Sequence, residues 1–407
     1  MHVVVIGAGA AGMMAAYAAA TRRATVVLLE KNNKTGVKIL MSGGTRCNLT
    51  HHTDARGIAD AFGHSKRFLQ SSLGGFPPQA VVDFFESAGV ATKIESTGKV
   101  FPVSNRAVQV RDALHRYAVD AGVEIRTGCG VTGIRPDGQK WLVDTGQSVI
   151  ATDRVIVTTG GKSWPGCGTT GDAYAWMTEL GHAVERTRPA LVPLIGGEQW
   201  MKDLSGLVVD DSIVTALPVA GRQKSLARRR GSLLFTHFGF SGPAAMDVSG
   251  AITAAASFDQ IRMIADLVPQ CSEEELQAVF GNRQESGKTK VSSLLAMWLP
   301  NRLASGIVTQ LGQDARLAEL SRKSKNRLTQ DLKRMPLPVS GTRGFEKAEV
   351  TAGGVRLSQI NPRTLESRIH KGLFIAGELL DVDGPIGGYN FQAAFSTGRA
   401  AGLAASA

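Results

Sequence analysis

Apolar residues at the start of the chain fall into two short runs separated by an alanine-rich stretch. The runs, His2–Ile6 and Thr25–Leu29, are rich in β-branched residues and short, so we predict two strands buried on both faces. The stretch between them, Met13–Ala20, has the composition of a helix. Similar apolar runs return far along the chain, at Val155–Val157 and at Leu373–Ile375. The pattern predicts a parallel sheet assembled from both ends of the sequence.

The pattern changes in the middle of the chain. Apolar and polar residues alternate in short runs over residues 192–252, which predicts a small β-barrel or sandwich. Helical periodicity follows in three segments, Glu273–Val279, Val291–Leu303 and Leu317–Leu332. We therefore predict an α/β protein with a Rossmann-like domain that is interrupted by two others. The predicted domains are a Rossmann-like domain of residues 1–188 and 347–407, a β-barrel-like insert of residues 189–268 and 335–346, and a small helical domain of residues 269–334.

The turn after the first strand has the G-x-G-x-x-G pattern of dinucleotide-binding proteins. Gly7 permits a tight turn, Gly9 lets the backbone approach a pyrophosphate, and Gly12 lets the helix pack against the strand. The N-terminus of that helix offers unpaired N–H groups to the phosphates. Glu30, at the end of the second strand, is placed to accept hydrogen bonds from ribose hydroxyls. The motif predicts a bound adenosine pyrophosphate, and it does not distinguish NAD from FAD.

A late strand and helix favour FAD. Leu373–Ile375 leads into Gly377 and Glu378, and Gly388 opens an alanine-rich helix that runs towards Ala400. In flavoproteins of the glutathione-reductase-like class, such an acid binds the ribityl chain. The following helix points its N-terminus at the flavin pyrimidine ring, where negative charge develops on reduction. No second G-x-G-x-x-G follows a strand later in the chain, so we expect NAD(P)H to dock transiently as the reductant.

Several blocks of sequence resemble the YhiN/BaiN-like flavoprotein family, from one end of the chain to the other. The blocks are Lys38–Asn48, Thr159–Asp172, Leu234–Pro243, Ala352–Val355 and Gly377–Asn390. Two positions depart from the family pattern: Val37, just before the first block, where arginine is common, and Thr45, within it, where glycine is common. At Thr45 the missing glycine leaves open how the loop reaches a positive φ. The resemblance implies NAD(P)H-dependent reduction of an activated C=C bond by an FAD enzyme.

The motifs and the resemblance together predict the residues that contact FAD. In the first half of the chain they are Gly7, Gly9, Ala10, Ala11, Gly12, Glu30, Lys31, Lys38, Ser42, Gly43, Gly44, Arg46, Cys47, Asn48, Val131, Thr159, Gly160, Gly161 and Asp172. Near the C-terminus they are Gly377, Glu378, Gly387, Gly388, Tyr389, Asn390 and Phe391.

Two residues are candidates for catalysis, and no metal site is predicted. His237 lies on a loop of the insert that could reach over the flavin, although a lone histidine is more often a structural residue. Cys47 lies beside the flavin loop, although a packed thiol is the simpler interpretation. The four cysteines form no C-x-x-C pair, and no further metal ligand stands at a suitable spacing from the two adjacent histidines, His51 and His52.

The chain is strongly basic, with 46 lysines and arginines against 35 aspartates and glutamates. Two basic clusters lie in the insert: Arg222, Lys224, Arg228, Arg229 and Arg230, and Arg322, Lys323, Lys325, Arg327, Lys333 and Arg334. They favour a polyanionic partner such as ribosomal RNA, and a solvated surface beside a small-molecule site is the alternative. The absence of a cysteine pattern and of a long apolar segment predicts a cytoplasmic protein without a membrane partner.

Three functions remain open at this point. The first is reduction of a uracil in ribosomal RNA to dihydrouracil. The second is a small-molecule enone reductase, or an amine or ketone oxidase, and the third is a flavin-binding protein without turnover. Salt-dependent RNA binding would separate the first from the others. Bleaching of the flavin by NAD(P)H would separate the first two from the third.

Overall fold

A computed structural model of the chain describes residues 1–221, 224–281, 289–312 and 314–407. The chain divides into two compact units, one formed by residues 1–189 and 348–407 and the other by residues 190–347. The first unit is therefore built from both ends of the chain. No helix among the described residues is long and apolar enough to cross a bilayer.

A five-stranded parallel sheet forms the centre of the first unit. Its strands lie in the order Leu373–Ile375, Arg154–Val157, His2–Ile6, Thr25–Leu29 and Glu124–Arg126. All neighbouring pairs are parallel, so the carboxyl ends of the strands meet at one edge. The strands predicted from the apolar runs are confirmed, and most of their residues are buried, as expected for parallel strands that are covered on both faces.

Two long helices of this unit pack closely against each other. The first helix, Ala10–Ala20, begins earlier than predicted because Gly9 forms its N-cap. The C-terminal helix is Tyr389–Ala405. A Cβ atom on Gly398 would lie 2.2 Å from the carbonyl oxygen of Ala11, so only glycine permits this separation of the two backbones.

The remaining elements of the first unit surround the sheet. Its other helices are Val37–Met41, Ala55–Asp60, Lys66–Gly75, Pro78–Ser87, Ala107–Asp120 and Asp172–Glu179. One small antiparallel sheet consists of Thr50–His51, Lys99–Pro102 and Thr92–Ile94, and another of Gly133–Asp137, Lys140–Asp144 and Val149–Thr152. Strands Arg188–Ala190 and Val350–Ala352 lie where the chain passes from one unit to the other.

The second unit contains a seven-stranded antiparallel sheet. Its order is Met335–Pro336, Ile261–Asp266, Val208–Pro218, Ala227–Thr236, Gly239–Ser241, Leu194–Gly196 and Val339–Thr342. The two edge strands are consecutive in the chain and only two residues apart, so the sheet must curve back on itself. The predicted barrel-like architecture is confirmed in that sense. The helices are Gln199–Lys202, Pro243–Ala254, Glu273–Gly281, Val291–Leu295, Asn301–Gln310 and Arg322–Lys333.

Two predictions for this unit are wrong, and proline explains both. Pro243–Ala254 is a helix inside a segment predicted as strands, because Pro243 occupies its first turn and alanines follow. The single helix predicted over Val291–Leu303 is two helices, because Pro300 removes a backbone donor and disfavours the helical conformation just before it. Residues 269–334, predicted as a separate helical domain, share one apolar core with the sheet.

Candidate cofactor site

In the turn after the first strand, two glycines are required by the fold itself, and a third is free of such a constraint. Gly7 has φ +96°, and a Cβ on Gly12 would lie 1.8 Å from the carbonyl oxygen of Gly7. Both glycines are therefore demanded by the turn and by helix packing, as the motif predicts. A Cβ on Gly9 would meet no atom within 4 Å. The space at Gly9 is open, beside a helix N-terminus, where a pyrophosphate fits.

Glu30 is buried at the end of the second strand and already accepts several hydrogen bonds. Its Oε2 accepts from the Ala8 N–H at 2.8 Å, and its Oε1 accepts from the backbone N–H and side-chain Nδ2 of Asn32 at 2.9 and 2.8 Å. A carboxylate offers about four acceptor directions, so room remains for about one more donor. Contact with both ribose hydroxyls stays a prediction, and it requires one of these bonds to shift.

Glu378 is the centre of a network that joins distant segments of the chain. Lys38 Nζ donates to Glu378 Oε2 and to Ser163 Oγ, both at 2.6 Å. Ser163 Oγ and the Thr351 N–H donate to Glu378 Oε1 at 2.7 and 2.8 Å. Glu378 therefore holds together the segments that contain Lys38, Ser163 and Thr351. Its carboxylate has about one acceptor direction left for the predicted contact with a ribityl chain. Sequence reasoning missed Ser163 and Thr351, although Ser163 lies in a block that resembles the family.

The loop after Lys38 has a run of left-handed residues. Gly43, Gly44, Thr45 and Cys47 have φ values of 55°, 66°, 69° and 60°. Thr45 therefore adopts the conformation that glycine adopts more easily, at a cost of about 1–3 kcal/mol. Its carbonyl oxygen accepts from the Ala107 N–H at 2.9 Å, which helps to hold the strained residue in place.

The two polar side chains at the end of this loop have protein partners. Arg46 Nη1 donates to Glu95 at 2.7 Å, and its guanidinium lies 4.0 Å from the centroid of the Phe101 ring. The Asn48 amide, oriented to satisfy its neighbours, accepts from the Gly388 N–H at 3.0 Å and donates to the Thr50 carbonyl at 2.9 Å. Asn48 thus fixes the start of the C-terminal helix.

The C-terminal helix begins at a glycine that the surrounding backbone requires. Gly388 has φ +92°, and a Cβ there would lie 2.4 Å from the Thr50 carbonyl oxygen, so glycine is required. The first backbone N–H groups of a helix lack intrahelical acceptors and form its positive end. Tyr389 stacks on the His51 ring with centroids 4.8 Å apart, and Asn390 Oδ1 accepts from the Gly384 N–H at 2.8 Å.

The other predicted contact residues lie at the same unit's sheet edge and in the loops around it. Lys31 Nζ donates to Asp172 at 2.6 Å, and both side chains are partly exposed. Thr159 Oγ1 is buried and has no hydrogen-bond partner among the described residues. Gly161 is confined by Thr351, whose Oγ1 would lie 2.3 Å from a Cβ there. Further members take their places in loops or at helix starts: Ala10, Ala11, Ser42, Val131, Gly160, Gly377, Gly387 and Phe391.

Carboxyl groups that sequence reasoning missed surround Glu378. Burial raises the pKa of Glu349, while the nearby Lys38 lowers it and Glu378 raises it further. Burial also raises the pKa of Asp383, against the opposing influence of Arg188. Glu349 lies outside the family-like blocks and Asp383 inside one of them, but only the folded chain reveals their burial. Carboxyls of this kind hold a proton closer to neutral pH than ordinary ones do.

The two candidate catalytic residues differ in their surroundings. Cys47 is fully buried, and burial raises the pKa of its thiol to about 12. Its thiolate is therefore scarce at neutral pH, which favours the packing interpretation. His237 belongs to the second unit, where it is exposed on the turn before Gly239–Ser241 and its ring contacts Phe238 edge-on. Its catalytic role stays a prediction.

The residues of this site fit a flavin dinucleotide on three observations. Open space lies at Gly9, a buried hydroxyl at Thr159 lacks a partner among the described residues, and the start of the Tyr389–Ala405 helix presents its positive end. These three features suit, in turn, a pyrophosphate anion, a chain rich in hydroxyl groups, and a ring that gains negative charge on reduction.

Comparison with known proteins places the whole chain in one family. Residues 1–404 match the family model described as HI0933-like protein Rossmann domain. The 3-dehydro-bile acid delta(4,6)-reductase of Clostridium scindens is 31% identical, over 98% of this chain and 98% of its own. The ribosomal RNA dihydrouridine synthase of Escherichia coli is 32% identical, over 97% of this chain and 95% of its own.

A solved structure supports the fold alone. The FrdA chain of E. coli quinol fumarate reductase aligns with 100% of this chain and 70% of its own, at 16% identity and a TM-score of 0.50. The family match and the two relatives say more, because they extend over nearly the full length of each protein. The chain belongs to the HI0933-like family, the YhiN/BaiN-like flavoprotein oxidoreductases that its sequence blocks resemble.

Proposed function

We propose that the protein binds FAD and uses NAD(P)H to reduce a C=C bond conjugated to a carbonyl, with a uracil of ribosomal RNA as the favoured substrate. The observation that carries the proposal is the open space at Gly9, beside the helix N-terminus and next to Ala8, whose N–H donates to the buried Glu30. FAD, when bound, supplies the hydride-transfer chemistry, and the protein supplies binding, orientation and electrostatics.

The residues of the first unit divide the work of holding the cofactor. The turn at Gly7–Gly12 would hold the pyrophosphate, and Glu30 would hold the adenosine ribose. Glu378, fixed by Lys38, would bind the ribityl chain. The start of the C-terminal helix at Gly388, positioned by Asn48, would stabilise negative charge on the pyrimidine ring.

The names of the relatives support a common reaction type. One is a reductase of a bile acid, and the other makes dihydrouridine, which requires saturation of a C=C bond in uridine. Hydride addition to such a bond must be matched by a proton at the neighbouring carbon. Glu349 and Asp383, whose pKa values are raised by burial, are suited to hold a proton near the site.

The experiment that tests the RNA substrate compares ribosomal RNA from the source organism with and without the gene. We expect the strain without the gene to lose a dihydrouridine, seen by mass spectrometry of RNA fragments. Unchanged dihydrouridine content would contradict the RNA substrate and leave the small-molecule enone as the alternative. That alternative is favoured by the Clostridium relative, which matches this chain as completely as the RNA enzyme does.

The basic clusters of the insert hold fewer free charges than the sequence suggests. Arg230 donates two hydrogen bonds to the carboxylate of Asp211, both at 2.7 Å, and Arg229 lies 3.9 Å from Asp247. In the second cluster, Lys333 pairs with Asp266 at 2.6 Å and is mostly buried. Arg334 and Arg327 also pair with carboxylates. Arg222 lies outside the described residues.

We predict that Arg228→Ala weakens the salt dependence of RNA binding. Arg228 is exposed on strand Ala227–Thr236 and has no ion pair within the described ranges. Loss of one phosphate contact should flatten the log–log slope of affinity against salt by about 0.7 for single-stranded RNA. Filter binding or fluorescence anisotropy over a salt series measures this.

Arg230→Ala is the matched control, because Asp211 already neutralises that guanidinium. Its slope should change much less. Replacing Arg228, Arg229 and Arg230 together should remove about one phosphate contact and not three, because Arg229 and Arg230 already pair with carboxylates. Equal slopes for the parent and Arg228→Ala would show that the cluster does not touch RNA.

We predict that Glu378→Gln weakens both FAD retention and the fold. The substitution leaves the Lys38 ammonium, which is only 25% exposed, without its carboxylate. A charge-assisted hydrogen bond of this kind contributes about 1.5–3 kcal/mol. Denaturant unfolding and equilibrium dialysis of FAD measure the two effects. We therefore expect Glu378 to stabilise the fold as well as to bind the cofactor.

Glu185→Gln serves as the control for the loss of a carboxylate. Glu185 accepts from Arg356 at 2.6 Å in the same unit, with both side chains largely exposed. Such surface pairs contribute about 0–1 kcal/mol. If Glu378→Gln behaves like Glu185→Gln in both measurements, Glu378 has neither role.

A further inference from the structure

A cleft in the first unit contains two arginines and no acidic residue. Its volume is about 360 Å³, and it lies between helix Lys66–Gly75 and the second half of the C-terminal helix. Arg363 and Arg399 line it together with serines, alanines, a leucine and a glycine. Arg399 is ten residues beyond Tyr389. At 1.5 Å per residue, that separates the cleft from the candidate cofactor site by about 15 Å along the helix.

The two guanidiniums differ in their contacts, but neither forms an ion pair with a carboxylate of the described residues. Arg399 Nη1 donates to the Gly75 carbonyl at 3.0 Å, and its guanidinium lies 5.3 Å from the centroid of the Phe76 ring. Four of its five N–H donors remain for other partners. Arg363 is exposed, and its side chain makes no hydrogen bond or ion pair within the described part of the chain. The cleft therefore has a local charge of two without a counter-ion among the described residues.

A buried hydroxyl in the same cleft also lacks a partner. Ser72 lines the cleft, is 2% exposed, and its Oγ has no hydrogen-bond partner among the residues that the structure describes. Leaving such a group unsatisfied costs about 1–3 kcal/mol. Two unneutralised guanidiniums and an unsatisfied hydroxyl together indicate a ligand with several acceptor oxygens.

Three of the other lining residues are apolar side chains of the C-terminal helix. Ala400, Leu403 and Ala404 are spaced so that they lie on one side of the helix, and all three line the cleft. We propose that this cleft binds a phosphate monoester that carries an apolar body. The phosphoryl group has about −1.5 to −2 charge at neutral pH, which matches two guanidiniums, whereas a carboxylate has half of that. The apolar body lies along the alanine and leucine side chains.

The test is isothermal titration of the full-length, FAD-loaded protein with hexyl phosphate. We expect saturable binding, weakened about ten-fold or more in Arg363→Ala, because one charge-assisted contact is lost. Arg363 is exposed and its side chain makes no hydrogen bond or ion pair with the described residues, so the variant should fold. Arg135→Ala, which removes an exposed arginine of strand Gly133–Asp137 in the same unit, should bind like the parent.

Three further titrants decide the chemistry of the ligand. Hexanol should not bind measurably, and hexanoate and inorganic phosphate should each bind more weakly than hexyl phosphate. Equal affinity of Arg363→Ala and the parent would overturn the site. If hexanoate binds as tightly as hexyl phosphate, the ligand need not be a phosphate. If inorganic phosphate binds as tightly, the ligand need not have an apolar body.

Discussion

Replacement of Gly9 by valine should abolish FAD binding and leave the protein folded. Gly9 has an extended backbone, with φ −79° and ψ −167°, which a β-branched residue adopts easily. A Cβ there would meet no protein atom within 4 Å, so a side chain at this position has room without displacing the protein. The same volume is the space that the pyrophosphate needs. Absorbance of the purified variant near 450 nm and its circular dichroism measure the two outcomes.

Gly12→Val is the contrasting variant. Its Cβ would lie 1.8 Å from the Gly7 carbonyl oxygen, so it should fail to fold well rather than merely fail to bind. Gly9→Ala should give an intermediate loss of affinity, because one methyl group fills less of the space. A Gly9→Val protein that retains FAD at the parent's stoichiometry would show that the dinucleotide does not pass over this turn.

Replacement of Gly398 by alanine should strongly destabilise the first unit. Alanine is normally better than glycine within a helix by about 1 kcal/mol. Here the new Cβ would lie 2.2 Å from the Ala11 carbonyl oxygen, and backbone cannot rotate away as a side chain can. The helices must separate, at a cost on the order of 3 kcal/mol. Urea unfolding of the purified variant measures it.

Gly74→Ala is the control with the opposite expected sign. Gly74 lies in helix Lys66–Gly75 of the same unit, and its Cβ would meet nothing within 4 Å. The substitution should be neutral or stabilising by up to about 1 kcal/mol. If Gly398→Ala and Gly74→Ala have the same stability, the close packing of the first and last helices is not as described.

Local pattern was enough to predict the central sheet. The runs at His2–Ile6 and Thr25–Leu29 have strand bounds identical to those predicted, because strands buried on both faces need apolar residues at every position. The same logic failed at Pro243–Ala254, where alternation of apolar and polar residues was taken for strands. Proline in a first turn was the signal available there.

The candidate site was predictable where a backbone constraint produces a motif. Gly7 and Gly12 are required by positive φ and by close packing, so their spacing is visible in the sequence. The Lys38–Glu378 pair joins residues 340 positions apart, and no local pattern connects them. The same holds for Glu349 and Asp383, whose properties depend on burial.

Net charge said least about the site, because the ion pairs that neutralise a side chain cannot be read from the sequence. The sequence shows arginines in a row, but their carboxylate partners come from other elements. Asp211 is on the neighbouring strand Val208–Pro218, and Asp247 is on helix Pro243–Ala254. Only the fold shows that Arg230 is neutralised, whereas Arg228 has no ion pair among the residues that the structure describes. The RNA hypothesis therefore depends on fewer charges than the composition suggests.

The central claim is that this chain holds FAD and transfers reducing equivalents from NAD(P)H to an activated C=C bond. The most direct measurement is anaerobic absorbance spectroscopy of the purified protein, after acid release has identified its cofactor. We expect FAD and not FMN, loss of the flavin absorbance on addition of NADH or NADPH, and its return when unmodified ribosomal RNA or a small conjugated enone is added. Released FMN, or a flavin that neither nucleotide bleaches, would contradict the account.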